Sequence, residues 1–384
     1  MKSKKDKILY IGNYNNNSTN ASSQRVINNC RCLHSIGYET IVIGYKDDCS
    51  DNDIEEITLK SGKVTLHNLK RDRKSNFSVR NILEIIELYS DSIKGIILYD
   101  YNSLKSIIIN KYCIRRNIRT YVDLTEWYSS NQGNIPYRVL KFIDINVRMK
   151  LFAPKCDGII TVSKYLYNYY SKLMDNVIKV PPLSNVNKVT ISSNTTKRIV
   201  YAGYPFNLKT HNIDSKKFKD RIDIIVDSTM NMIKKSIDVS LDIIGITAEE
   251  YLSKVPKHSE VSNYSNIKFH GVLDKEAVDQ IYSKSDYVVL IRNHDRISKA
   301  GYSTKFVDAI SNGLNVITND NFEMYEVIDS LDRGTIISVD SMEDVANEIE
   351  KAVVSEEDIK IGEYVNPFFY MNYTEYFSEL LSED

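Results

Sequence analysis

The chain has 384 residues, 42% of them hydrophobic and 26% charged, and its 50 Lys+Arg against 51 Asp+Glu give a formal net charge of -1. Globular usage of this kind excludes a disordered chain, a collagen-like repeat and a coiled coil. The even charge excludes a protein that coats nucleic acid through bulk charge. No apolar run reaches the roughly 18 residues that a membrane span needs. Behind the basic start only residues 8–11 are apolar, too few for a secretory leader, so the sequence predicts a cytoplasmic chain. Cys30, Cys32, Cys49, Cys113 and Cys156 are odd in number and contain no C-x-x-C, which predicts reduced structural thiols.

Residues 8–11 read as a strand ended by Gly12. Ser22 and Ser23 are placed to cap a helix that runs to about Ile36 and stops at Gly37. Residues 40–43, 64–69, 96–99 and 120–123 read as further strands, with a helical period over 79–89 and a helix after residue 99. Residues 158–162 form the next strand, and Ser163 caps the helix behind it. Strands apolar on both faces, alternating with helices, indicate a parallel sheet covered on two sides.

At Pro181 and Pro182 the pattern breaks. Residues 183–197, rich in Asn, Ser and Thr, read as an interdomain linker. The alternation restarts at 198–202, ended by Gly203, with a helix over 220–235. Strands follow at 239–245, 267–270, 287–291, 315–318 and 335–339. The expected architecture is α/β, with two doubly wound units, 1–184 and 185–365, each large enough for its own core. Beyond Pro367, Tyr373, Tyr376, Phe377, Leu380 and Leu381 fall on one helix face, which must be buried on something.

Several common motifs are missing. There is no G-x-G-x-x-G after the first strand, no G-x-x-x-x-G-K-[ST], no H-E-x-x-H and no G-x-S-x-G. His34, His67, His211, His258, His270 and His294 show no metal-ligand spacing. Asp51 and Asp53 form a D-x-D inside a polar acidic run, which reads as a solvated loop rather than a metal site.

The chemistry concentrates between residues 286 and 318. A strand ends at Ile291. A basic loop with Arg292, Arg296 and Lys299 follows, and the small-residue turn Gly301, Tyr302, Ser303, Thr304 opens a helix that Gly313 closes. Such a helix start presents free N–H groups and partial positive charge, a site for an anion. Asp308, one turn in, can accept hydrogen bonds from sugar hydroxyls.

This segment resembles the donor site of glycosyltransferase family 4, retaining enzymes of the GT-B fold. It is closer still to a bacterial surface-polysaccharide subgroup with the pattern A-G-[FY]-[SP]-T-K-F-[VI]-E-A-I-x-x-G-x-P-V-I-T. Residues 156–166, Val180-Pro181-Pro182, Tyr201-Ala202-Gly203 with Lys219-Asp220-Arg221, Ser23 to Val26 and Gly37 to Glu39 also resemble family segments. The resemblance implies two Rossmann-like domains facing a cleft, with the last helix crossing back onto the first. It implies a hexosyl group moved from a nucleotide-diphosphate sugar, the co-substrate, with no cofactor and no metal. The implied acceptor is a glycan or a lipid-linked intermediate, with a peripheral contact at the inner face of the plasma membrane. The implied donor-binding residues are Gly203, Gly301, Tyr302, Ser303, Thr304, Lys305 and Asp308. Two positions depart from the commoner family pattern of paired glutamates. Ala300 stands at the first, as in the closer subgroup. Asp308 stands at the second, with the charge kept and about one methylene of reach lost.

Loss of a nucleoside diphosphate requires stabilisation of its developing charge, and Lys219 and Arg292 are the cations placed for it. On the acceptor side, Asp123 and Glu126 follow a strand and precede Trp127, the only tryptophan. Either carboxylate can position an acceptor hydroxyl or cap the next helix. Arg25 can reach the same place, though a solvated first-turn arginine is the expectation. Residues 135–152 mix apolar and basic side chains. They read as a helix packed on its sheet, with a membrane-surface helix as the alternative. Two other functions fit the architecture: a nucleotide-sugar epimerase, and a non-catalytic nucleotide- or partner-binding pseudoenzyme.

Overall fold

The computed structural model describes residues 6–16, 20–46, 53–70, 78–127, 134–191, 197–206, 218–293, 296–319, 322–337, 344–355 and 362–382. Two compact units emerge. The first comprises residues 1–185, 299–302 and 368–384; the second comprises 186–298 and 303–367.

In the first unit eight strands form one sheet. They are β1 (Lys7–Asn15), β2 (Glu39–Tyr45), β3 (Asp53–Leu59), β4 (Gly62–Leu69), β5 (Ile93–Tyr99), β6 (Arg119–Leu124), β7 (Gly158–Thr161) and β8 (Val177–Lys179). Their order is β3-β4-β2-β1-β5-β6-β7-β8. All neighbours are parallel except β3, which pairs antiparallel with β4. The period of two sends Leu9, Ile11, Ile41, Ile43, Ile96 and Leu98 into one core cluster. The alternate residues Ile8, Tyr10, Val42 and Ile97 go to the other face.

Phe377, Leu380 and Leu381, from the Thr374–Leu381 helix, are buried in that second cluster. Arg119 ties the helix end down, with Nη2 donating to Leu381 O at 2.7 Å, and Asn176 Nδ2 donates to Leu380 O at 3.1 Å. The helix that follows the second unit in sequence therefore belongs to the first, as its apolar face predicts. Burying three such side chains contributes roughly 1.5–3 kcal/mol each.

The second unit has a six-stranded parallel sheet. Its members are β10 (Lys197–Ala202), β11 (Val239–Ile244), β12 (Ile267–Phe269), β13 (Tyr287–Leu290), β14 (Asn315–Asn319) and β15 (Gly334–Ile337), in the order β12-β11-β10-β13-β14-β15. A separate ribbon joins β9 (Lys188–Ile191) to β16 (Gly362–Val365) in antiparallel register.

Several local expectations need correcting. The Ala21–Ser35 helix is capped by Asn20, whose Oδ1 accepts from Ser23 N at 2.9 Å, not by Ser22 or Ser23. The stretch taken as linker contains β9. Asp53 is not in a loop but opens β3, opposite Asn68, while Asp51 lies outside the described residues. Residues 135–152 do not pack as one amphipathic helix. The Ile135–Asn146 helix buries only Ile145 and passes into a π-helical turn, Val147–Phe152. Cys30, Cys32, Cys113 and Cys156 are buried free thiols, and Cys49 lies outside the described residues.

Candidate functional site

In the second unit the parallel strands deliver their carboxyl ends to one edge of the sheet, where α/β folds bind ligands. Two glycines let the backbones converge there. Gly203 follows β10 with φ +143° and donates its N–H to Ile244 O at 2.9 Å. Gly245 follows β11 with φ +107°, and a Cβ on it would stand 2.6 Å from Gly203 O. Neither position accepts a side chain.

Beside this junction lies a buried carboxylate, Asp220, with no exposed surface. Arg292, just after β13, donates from Nε to Oδ1 at 2.7 Å; Lys305 donates from Nζ to Oδ2 at 2.8 Å. The Tyr201 hydroxyl, from β10, donates to Oδ2 at 3.0 Å. Lys305 is on the first turn of the Thr304–Ser311 helix, which Ser303 caps by accepting from Phe306 N. Arg292 is held by Asn319 on both sides of its peptide unit. Its N–H donates to Asn319 Oδ1 at 2.9 Å, and its carbonyl accepts from Asn319 Nδ2 at 2.6 Å.

Burial opposes the charge on Asp220, but Lys305 and Arg292 overcome it and hold the carboxyl well below the usual carboxylate range. Burial lowers the Lys305 pKa, Asp220 pulls it back up, and Arg292 and Lys219 push it down further. Burial first, then Asp220, raise Tyr201 well above an ordinary phenol. Two cations thus share one carboxylate and leave an excess positive charge beside a helix N-terminus. That arrangement attracts an anion with more than one negative charge.

Of the residues expected from the sequence, Arg292, Lys305 and Gly203 come together here. Lys219 is exposed next to Asp220, its backbone N–H donating to Pro205 O at 2.8 Å. Asp308 is exposed on the same helix as Lys305, and its carboxylate makes no hydrogen bond or salt bridge among the described residues. Sequence reasoning missed Asp220 and Tyr201. Asp220 sits in the charged run Lys219-Asp220-Arg221 and reads as solvated. Only the fold brings it to Arg292 and Lys305.

The turn expected to act as one piece is divided. Gly301 and Tyr302 pack in the first unit, Ser303 and Thr304 in the second. Ala300 is fully buried and its carbonyl accepts from Ser163 Oγ at 2.8 Å. A glutamate there would bury an unpaired charge, so alanine suits the packing.

The first unit corrects two readings. Arg25 is not solvated but buried against Asp123, with Nε 2.9 Å from Oδ2 and Nη2 2.7 Å from Oδ1. Its Nη1 also donates to Val180 O at 2.9 Å. Asp123 caps no helix among the described residues and is fully buried, the Tyr10 hydroxyl and Asn29 Nδ2 also donating to its carboxylate. Glu126 is half-buried at the end of β6, next to Trp127, whose ring meets Tyr169 edge-on at 5.0 Å. Among the described residues no group of His, Cys, Asp or Glu could hold a metal ion. No helix among them is long and apolar enough to cross a membrane.

Residues 216–364 match the family model described as glycosyl transferases group 1. No curated protein sequence matches the chain. The chain is similar to sucrose-phosphate synthase from Thermosynechococcus elongatus, at TM-score 0.65 and 13% identity, over 98% of this chain and 95% of that one. It is similar to HepE of Anabaena in complex with UDP-glucose, at TM-score 0.59 and 10% identity, over 98% and 95%. The catalytic domain of starch synthase IV from Arabidopsis thaliana, bound to ADP and acarbose, aligns at TM-score 0.61 and 10% identity, over 99% and 96%. At such identities the likeness is one of fold: the chain has the two-domain α/β GT-B architecture.

Proposed function

We propose that the chain is a retaining glycosyltransferase. It moves a hexosyl group from a nucleotide-diphosphate sugar to a glycan or lipid-linked acceptor in bacterial surface-polysaccharide synthesis. The observation that carries this reading is the pair Arg292 and Lys305 on Asp220, at the carboxyl ends of β10 and β13. It lies within the segment that matches the glycosyltransferase model. The complexes of HepE with UDP-glucose and of starch synthase IV with ADP support a nucleotide-sugar donor.

In this reading the donor diphosphate meets Arg292, Lys305 and the amides that open the Thr304–Ser311 helix, with exposed Lys219 at the rim. As the bond from the anomeric carbon to the phosphate oxygen breaks, negative charge grows on the diphosphate. Preplaced cations stabilise it there without reorganising. They do the work that a divalent ion does elsewhere, so the reaction needs no metal. In the same reading Asp308 accepts from a donor hydroxyl, and Glu126 from the acceptor.

The test is release of free nucleoside diphosphate, which should require both donor and acceptor. Arg292→Ala and Lys219→Ala should each lower turnover by about 10²-fold or more, with unchanged far-UV CD. EDTA should leave activity intact. Near-normal turnover in both variants would sink the assignment. Loss of activity in EDTA with rescue by Mn²⁺ would sink metal independence.

A further inference from the structure

The Ile135–Asn146 helix turns its apolar side outward. At 100° per residue Phe142, Ile135, Val139, Ile143 and Leu140 share one arc about 160° wide. These are the exposed side chains: Ile135 is 74% exposed, Leu140 67% and Phe142 57%. The opposite side is the anchored one. It carries the buried Ile145, and Asp144, whose Oδ1 accepts from Ser103 N at 2.8 Å and Ser103 Oγ at 2.6 Å. A domain-surface helix normally has the reverse arrangement. Leu151, in the following π-helical turn, and Leu104 and Ile108, on the Ser103–Ile114 helix that Asp144 ties down, are exposed as well.

The segment that carries this face is rich in cations. Residues 101–150 contain nine Lys or Arg and three Asp or Glu, in a chain that is otherwise slightly acidic; of the nine, Arg148 pairs with Asp100, Arg116 with Glu87, and Arg119 donates to the Leu381 carbonyl. Of the three acids, Asp123 is buried against Arg25 and Asp144 is bonded to Ser103. Arg138 and Lys150 are exposed and Lys141 is half-exposed.

We infer that this face docks on an anionic lipid surface. The helix lies in the plane of the interface. Ile135, Val139, Leu140, Phe142 and Ile143 enter the acyl boundary, and Arg138 and Lys150 meet the headgroups. Twelve residues give a helix about 18 Å long, too short to cross a hydrocarbon core of about 30 Å but long enough to lie along it. A second copy of the chain would cover the same residues. A two-fold pairing, however, would set the same cations against each other. The inference deepens the lipid-linked acceptor proposed above and rests on it for its purpose. Its vesicle-binding test uses neither donor nor acceptor.

The experiment is flotation of the full chain with vesicles of phosphatidylcholine, with and without phosphatidylglycerol. Binding should be at least about tenfold stronger to the anionic vesicles and should weaken with salt. The double variant Leu140→Glu with Phe142→Glu should stay in the soluble fraction. Arg138→Glu with Lys150→Glu should lose the preference for phosphatidylglycerol. Both should keep the thermal shift that a nucleotide sugar induces in the parent. That shift reports on the transferase reading alone: its absence alongside vesicle binding would sink the transferase and leave the lipid surface standing. A parent chain that ignores both vesicles would overturn the inference. So would a Leu140/Phe142 variant that floats like the parent. A parent dimer in sedimentation velocity that the same variant dissociates, without vesicle binding, would assign the face to a second copy.

Discussion

Gly203 lies directly beneath the Lys305 side chain. A Cβ on residue 203 would stand 2.7 Å from Lys305 Nζ and closer still to Cε. The glycine's φ of +143° is also one that residues with a side chain rarely adopt. Gly203→Ala should therefore cost about 1–3 kcal/mol of stability and push Lys305 off Asp220. Urea unfolding checks the first effect and donor titration the second. An alanine variant that binds donor like the parent would show that Lys305 can move without loss.

Asp220→Asn leaves Arg292 and Lys305 partly buried with no counter-charge. It should destabilise the second unit by about 3–5 kcal/mol at neutral pH. The pH dependence has a definite sign. The folded carboxyl titrates below its unfolded value of about 3.9. Its contribution is therefore complete above about pH 4 and is lost as the pH falls through the folded value. The gap between parent and variant should be constant from pH 5 to neutrality and should shrink at pH 3. Urea titrations at the two ends measure it; a gap that widens in acid would contradict the assignment.

Asp123 and Glu126 are three residues apart and should behave oppositely. Asp123→Asn breaks a buried pair with Arg25 and should cost about 3–5 kcal/mol. Glu126→Gln, at a half-buried site, should stay within about 0.5 kcal/mol and affect turnover if it touches acceptor. A fully stable Asp123→Asn protein with lost turnover would return Asp123 to the acceptor site.

Removal of residues 368–384 takes Phe377, Leu380 and Leu381 out of the core cluster that they share with Leu33 and Ile178. The truncated chain should be poorly soluble and bind a hydrophobic dye. A soluble monomer with the parent's melting temperature would show that this helix does not complete the core.

The fold was legible where the sequence repeats a simple period. Apolar runs such as 8–11 and 287–291 announce buried parallel strands, and the spacing from Tyr373 announces a one-sided helix. Strand β3 was missed because Glu55 and Glu56 interrupt its apolar residues, as an exposed edge strand permits. Strand β9 is only four residues long and is made by its partner β16, far along the chain. In the site, Arg292 and the Thr304–Ser311 helix were legible because a strand, a basic loop and a small-residue turn are contiguous. Asp220 was not, because a carboxylate between Lys219 and Arg221 looks solvated until tertiary structure buries it. Arg25 was misread for the same reason.

The order in which the chain is made has a consequence for the first unit. Its eight strands are all synthesised by Lys179, but three side chains that complete the cluster on one face of the sheet, Phe377, Leu380 and Leu381, come only after the whole second unit. At ribosomal speeds of about 5–20 residues per second the delay is roughly 10–40 s. Through that interval part of this face, at β8, is uncovered on a tethered nascent chain, a natural substrate for a ribosome-associated chaperone. The second unit has no such wait, since its six strands and their helices precede β16. The half made second is thus the half able to finish first.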